Sequence, residues 1–528
     1  MRIKQITFAA LLAAASSVQA QNTYLNDRLT STDQLNGSAR FVGMGGALGA
    51  LGADLSVISS NPAGIGLYRK SDIGMTFGAV IPNGNGWDMD DKTTYNENLS
   101  RASFDQFGGV LSLRTGSTGL KRLNIAFNYQ KKLNFNQGFF ADNNNLGIYN
   151  GGELVGDLSQ MTQLAELVTA GYNADYNLAG LAYMPTLVEK DEDRDPYYLA
   201  EKEKGEFVNN RPYSTHNNYT RHQRGALKAY DINFSMNFND RVYVGATLGI
   251  DELDYREWNE YAEYGEDDGL NDGPNHSLYN DTEISGVGVN GKFGIIARPF
   301  EFSSFRLGLA VETPTWYRME NSTLFNLDKS DRPESYMEYT LRTPWKVRLS
   351  AGHTVGSVFA WGVEYEYANY AKTKMGYPAY DAYSSGGQFR TADWDMAMNE
   401  LTRNTLKGQH TPRLGVEVNP LRKFAVRAGY NYISGRFADN VGFDQYSIDS
   451  RAMDYATNTE YMRLGDTNIL TAGLGYKGKL VYVDLTYQFR AQRGDFYAFD
   501  ATEQGGVLRP VDVNLNRHQL MLGVGVKL

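Results

Sequence analysis

Charged side chains recur at alternate positions in otherwise apolar segments: Lys346 and Arg348, Glu364 and Glu366, Arg413 and Glu417, Arg427, then Asp484 and Arg490. Both signs share one parity on segments that follow one another in the chain. Such groups can pair across neighbouring strands, or a surplus Lys or Arg can meet a ligand carboxylate. Buried charges are usually paired, so a ladder that stiffens a wall is the favoured reading. The candidate lumen charges are Lys346, Arg348, Glu364, Glu366, Arg413 and Arg427.

Catalytic chemistry finds little to work with. The chain has no cysteine, so no thiolate can serve as nucleophile or ligand. Of the six histidines, His353, His410 and His518 fall on the opposite parity or at segment ends, and His216, His222 and His276 lie in or beside expected loops. No His-Glu-x-x-His spacing exists, and the acidic stretches 191–195 and 266–272 lack the spacing of a calcium loop. Gly43-Met44-Gly45-Gly46 is not set in the strand-turn-helix unit that a dinucleotide loop requires. A net charge of −10 without a basic stripe gives no reason to expect nucleic-acid binding. The expectation is a protein that is not an enzyme and has no cofactor and no metal site; a haem would need a loop histidine as axial ligand.

The elements that hold these residues are strands. From Asp72 onward hydrophobicity alternates with period two, as when one sheet face meets lipid and the other a polar lumen. Val481, Val483, Leu485, Tyr487 and Phe489 share one face of such a segment, and Asp484, Thr486, Gln488 and Arg490 the other. Short connections at 115–119, 239–240, 355–357, 419–423 and 477–479 alternate with long ones at 82–101, 136–221, 255–279, 371–408 and 434–465. That rhythm predicts an all-β, transmembrane antiparallel β-barrel of about fourteen strands, with long loops on the outer side. The last strand, 514–528, ends the chain on Leu528 rather than an aromatic residue. Helical spacing of apolar residues marks two of the long loops, 153–172 and 393–406.

Residues 1–20 read as a secretory signal peptide: Arg2 and Lys4, an apolar run from Ile6 to Ala15, and a small residue at Ala20. The run is too short to span a bilayer. Residues 21–71 are Gly-rich, lack strand alternation and precede a barrel too wide to be filled by its own side chains, so they are expected to form a plug in the lumen. Pro62 fixes its own φ and extends Asn61, whose side chain can cap the amides that follow.

This segment, SARFVGMGGALGALGADLSVISSNPAGIGLYR, resembles the hatch of the FadL/TodX outer-membrane family: small residues and glycines, an acidic residue, then an Asn-Pro-Ala turn before the first barrel strand. The matching residues are Gly43, Gly45, Gly46, Asp54, Asn61, Pro62 and Ala63. The resemblance is specific over 37–69 and architectural over the barrel, 72–528. It implies passive uptake of hydrophobic molecules, such as long-chain fatty acids, past a hatch that gates a lateral exit. It also implies location in the cell outer membrane of a Gram-negative bacterium as a monomer, with a hydrophobic ligand, membrane lipids and the barrel assembly machinery as partners. The rival readings are a general porin and a surface receptor or adhesin, including one for haem.

Overall fold

The computed structural model describes residues 17–31, 34–86, 101–143, 214–265, 276–327, 334–379, 392–438, 450–499 and 510–528, apart from positions 117, 422, 451, 453 and 454, together with 148–150, 153–156, 160, 188–189 and 198–199. Fourteen antiparallel strands form one closed ring. They are β1 (Asp72–Gly86), β2 (Arg101–Arg114), β3 (Leu120–Asn134, continued by Gln137–Asn143), β4 (Ser214–Phe238), β5 (Val242–Gly265), β6 (His276–Ala297) and β7 (Arg306–Glu312 and Trp316–Leu327). There follow β8 (Glu334–Arg342 and Lys346–Val355), β9 (Phe359–Asn369 and Lys374–Pro378), β10 (Gly408–Leu421), β11 (Phe424–Ile433), β12 (Tyr461–Lys477), β13 (Val481–Tyr497) and β14 (Val511–Lys527). Each strand pairs with its sequence neighbours, and β1 closes on β14 from Asp72↔Lys527 to Gly86↔Val513. Closure gives every strand a paired neighbour on both sides, as a lipid environment demands, although the β2–β3 ladder is short.

The side-chain period sets which face meets lipid. On β5 the even residues Val242, Val244, Ala246, Leu248 and Ile250 point outward and the odd ones are turned inward. Outward Phe293 and Leu474 are each 58 % exposed, whereas inward Met319 is fully buried. A belt of exposed apolar side chains round a closed barrel is a membrane surface.

Three neighbouring strands break at one place: β7 at Thr313-Pro314-Thr315, β8 at Thr343-Pro344-Trp345 and β9 at the short 3-10 turn Tyr370–Lys372. Proline cannot donate to a ladder. The first two breaks are tied to each other instead, Thr343 N donating to Thr315 O at 3.1 Å and Thr315 N to Thr343 Oγ1 at 2.8 Å.

Several loop expectations need correction. Strands β4 and β5 run for 25 and 24 residues, so most of the expected loop 255–279 is strand. A further tight connection, 298–305, joins β6 to β7. In the expected helix 153–172, Glu153–Gly156 is instead a strand paired with Ile148–Asn150; apart from Gln160, the rest lies outside the described residues. The second helical pattern does fold, as α3 (Met396–Thr405, numbered after the two N-terminal helices given next) capped by Asp395. Residues 1–16 of the expected signal peptide also lie outside the described residues.

The N-terminal stretch packs on inward-facing side chains of the ring. It comprises α1 (Ser17–Thr30), α2 (Ala39–Gly43) and two 3-10 turns, Leu55–Ser59 and Pro62–Leu67. Leu35, Phe41, Val42, Met44, Leu48 and Ile58 form one core with wall residues Val110, Ala126, Ala360, Ile433, Ile469 and Met521, contributed by six different strands. Tyr24 and Leu29 join a second core towards the long loops.

Candidate functional site

Ser38 caps α2 by accepting from Phe41 N, and its hydroxyl donates to both oxygens of Asp54 at 2.7 and 2.9 Å. Asp54 in turn caps the Leu55–Ser59 turn by accepting from Ser56 N at 2.9 Å. One carboxylate thus ties two turns together. Burial pushes its pKa above the usual carboxylate range, opposed by the Arg40 guanidinium and the Ser38 hydroxyl. Asn61 caps the next turn, its Oδ1 accepting from Ala63 N at 3.1 Å, with Pro62 in the first helical position.

The wall opposite is built of glycine. Register places Gly352, Gly362, Gly415 and Gly429 directly beside one another across β8, β9, β10 and β11, and Gly245 beside Gly294 across β5 and β6. A Cβ on Gly362 would collide with the carbonyl of Ala47, on Gly415 with that of Met44, and on Gly429 with the amide of Gly45. On Gly245 and Gly294 it would strike Pro62 and Asn61. Gly45 itself has φ +62° and lies against the backbone of Leu414 and Tyr430, so it needs both a left-handed turn and the missing side chain. Wall hydroxyls and amides satisfy the segment's buried carbonyls: Thr486 Oγ1 donates to Ala39 O at 2.6 Å, Ser235 Oγ to Pro62 O at 2.8 Å and Asn124 Nδ2 to Ile65 O at 2.6 Å.

The six lumen charges are brought together as two paired groups. Arg348 lies between Glu312 at 2.8 Å and Glu366 at 2.5 Å, Arg413 bonds Glu364 at 2.5 Å and Glu366 at 3.1 Å, and Lys346 stands 3.9 Å from Glu312. Arg427, fully buried, is held by Glu417 at 2.7 Å and Asp484 at 2.6 Å. Two contacts reach the N-terminal segment: Gly49 N donates to Glu364 at 3.1 Å and Arg40 pairs with Glu417 at 3.3 Å. Glu312 belongs to the first group and was not singled out in the sequence, although it continues the inward parity of Ala310.

Sequence reasoning also missed Gln34 and Asn36. The β2–β3 ladder runs from Arg114↔Arg122 to Gln106↔Gln130 and stops there. Above it β3 stays paired with β4, from Gln137↔Gln223 to Asn143↔Asn217, but leans across the lumen until Phe139 lies 5.0 Å from Phe496 of β13. On β2 a bulge at Asp105 turns that carboxylate inward. Asn36 spans the resulting seam: its Nδ2 donates to Asp105 at 3.1 Å, while its carbonyl accepts from Gln130 Nε2 at 2.6 Å. The Gln34 amide bonds both backbone groups of Asn134, at 3.0 and 3.1 Å, taking the place of the missing neighbour strand. No periodicity marks these two residues; only the register of the wall gives them a role.

Towards the long loops a cavity of about 60 Å³ lies beside α1, lined by Tyr24, Arg28, Arg221, Tyr255, Glu257 and Glu460 among others. Its charges are paired, Arg28 with Glu257 at 3.0 Å and Arg221 with Glu460 at 3.6 Å.

No family model and no curated protein matches the sequence. Among solved structures the chain is similar to a Pseudomonas aeruginosa FadL homologue, with TM-score 0.50 and 11 % identity over 94 % of this chain and 99 % of that one. It is similar, too, to a deltaS2 mutant of the TodX monoaromatic hydrocarbon channel, with TM-score 0.52 and 10 % identity over 94 % of this chain and 100 % of that one. At these identities the likeness establishes the fold alone, a fourteen-stranded antiparallel barrel of the FadL/TodX type.

Proposed function

We propose that this protein is a passive uptake channel of the outer membrane for hydrophobic small molecules such as fatty acids, in which residues 21–71 act as a hatch. Cleavage after Ala20 would leave that hatch as the start of the mature chain. The observation that carries the reading is the seam above Gln106 and Gln130, where two wall strands part and the gap is bridged by Asn36 and Gln34 rather than by a ladder. A molecule that partitions into the lumen is released sideways into the membrane when those bridges let go. The driving force is the transfer of apolar surface, with no energy source required. Asn61, Pro62 and Ala63 anchor the far end of the hatch on the glycines of β5 and β6, so a shift there is felt along the segment. The solved structures named above are a FadL homologue and a monoaromatic hydrocarbon channel, which agrees with this substrate class. A general porin would need an open lumen, whereas here buried residues from six strands pack on the N-terminal segment.

Because the natural chain has no cysteine, a disulfide can be placed without interference. Cells expressing Gln34→Cys with Asn134→Cys should take up a labelled fatty acid at the wild-type rate when reduced and at background when oxidised. Uptake by the oxidised pair equal to that of the reduced pair would remove the seam from the route.

A further inference from the structure

On the outer face, just above the break in β7, β8 and β9, two cations stand side by side. Register pairs Trp316 of β7 with Arg342 of β8, and Arg342 with Lys374 of β9, and all three turn outward. The short strand Ala392–Trp394 pairs with upper β9 and lays the Trp394 ring over Gly376, where a Cβ would come within 3.1 Å of Cε3. Both cations meet that ring: the guanidinium carbon of Arg342 is 5.3 Å from its centroid and Lys374 Nζ 6.0 Å. A cation–π contact holds a cation in place without neutralising it. Other cations of the outer face are neutralised, Arg318 by Glu338 at 3.2 Å, Arg256 by Glu283 at 2.9 Å and Lys228 by Glu252 at 3.2 Å, whereas among the described residues Arg342 and Lys374 form no ion pair. Lys372, exposed in the 3-10 turn before upper β9, adds a third positive charge.

Depth decides what answers that charge. The outward face of β8 is largely apolar from Val355, beside the tight turn to β9, up to Trp345, about the 9–11 residues that cross the hydrocarbon layer. Trp345 and Trp316 are each about half exposed at its upper end, as aromatic residues are at a membrane interface. Arg342 and Lys374 therefore stand at the level of the outer headgroups. Below them, on the same and adjoining strands, outward Leu309, Leu349, Val363, Tyr365 and Leu414 line a lipid-facing hollow of about 880 Å³. We propose that this face is a docking site for a phosphorylated lipid of the outer leaflet, its phosphate held between Arg342 and Lys374 and its acyl chains laid over the hollow. A phosphate accepts two parallel bonds from a guanidinium and attracts the ammonium as a point charge. Acyl chains are as apolar as the wall, so contact with the hollow alone cannot select one lipid over another. The selection comes from the headgroup. None of these residues faces the lumen, and the site is independent of the uptake reading.

The test titrates full-length protein in detergent with bisphosphorylated lipid A, with the same lipid after removal of its phosphates, and with inorganic phosphate, and follows the bound molecules by native mass spectrometry. The wild type should bind the phosphorylated lipid about tenfold more tightly than the dephosphorylated one. Arg342→Gln combined with Lys374→Gln should abolish that preference and leave the dephosphorylated lipid unchanged. Trp394→Leu, which frees both cations from the ring, should lose part of it. The phosphorylated lipid should also raise the temperature at which the wild-type barrel unfolds, judged by gel mobility, and should not raise that of the double variant, because a ligand of the folded state stabilises it by mass action. If the double variant fails to fold, Arg342→Gln alone carries the comparison. Equal binding of the two lipids by the wild type, or an undiminished preference in the variant, overturns the site. Displacement of the lipid by inorganic phosphate at equal concentration would reveal an anion site that needs no lipid, and overturns it as well.

Discussion

Arg427 shows how charge is used in this lumen. Its guanidinium is fully buried between Glu417 and Asp484, and Glu417 also receives Arg40 and, at 2.8 Å, Lys477. The pairing does not by itself argue for stability, because desolvating the ions offsets much of the attraction. Removing one member is different, since the acids left behind stay buried without their counter-charge. Arg427→Ala should therefore destabilise the barrel by about 3–5 kcal/mol, read as a shift in the denaturant midpoint, and a loss below 1 kcal/mol would mean that water already reaches the site. The Asn61–Pro62 corner was legible from the sequence because its mechanism is local: a fixed φ, a short capping side chain and the amides just ahead of it. Gln34 and Asn36 were not, because their partners on β2 and β3 lie 69 to 100 residues further along the chain, and polar residues in a non-periodic stretch look alike until the wall register is known.

At the scale of the element, the strand is written plainly in the sequence and its length is not. Alternation named the faces of β10, β11 and β13 correctly because lipid and lumen differ sharply at each step. Higher on β5 the outward positions turn polar, as Glu252, Asp254 and Arg256, so the hydrophobic signal fades while the ladder to β6 continues to Glu263↔His276. That is why part of the wall was read as loop. The glycine row belongs to the same scale, since Gly352, Gly362, Gly415 and Gly429 are scattered in the chain and become a surface only when four strands are laid side by side. Gly415→Val should keep the barrel closed yet drive the segment off the wall, because its side chain would occupy the place of the Met44 carbonyl. Overpacking of this kind costs about 1–3 kcal/mol. Limited proteolysis should then cut between residues 34 and 70 in the variant and not in the wild type; equal resistance in both would show that the segment can reseat.

For the molecule as a whole, the ring and its contents are separable in principle: the ladder closes without the N-terminal segment, from β1 directly to β14. A chain lacking residues 34–70 should still form a barrel and should conduct ions in a planar bilayer severalfold better than the intact protein. Unchanged conductance would mean that the long loops alone seal the lumen.

The outward apolar run on β5, Val242 to Ile250, matches the roughly 9–11 residues that a strand needs to cross the hydrocarbon layer. The strand nevertheless continues to Gly265, with Arg256 paired to Glu283 of β6 at 2.9 Å on the outer surface. More than half of this wall therefore stands clear of the lipid, as a chimney whose mouth is raised above the headgroups at a rise of about 3.3 Å per residue. A molecule taken up by the proposed route would therefore meet the protein above the headgroups and travel down a walled shaft before it reaches the depth of the membrane.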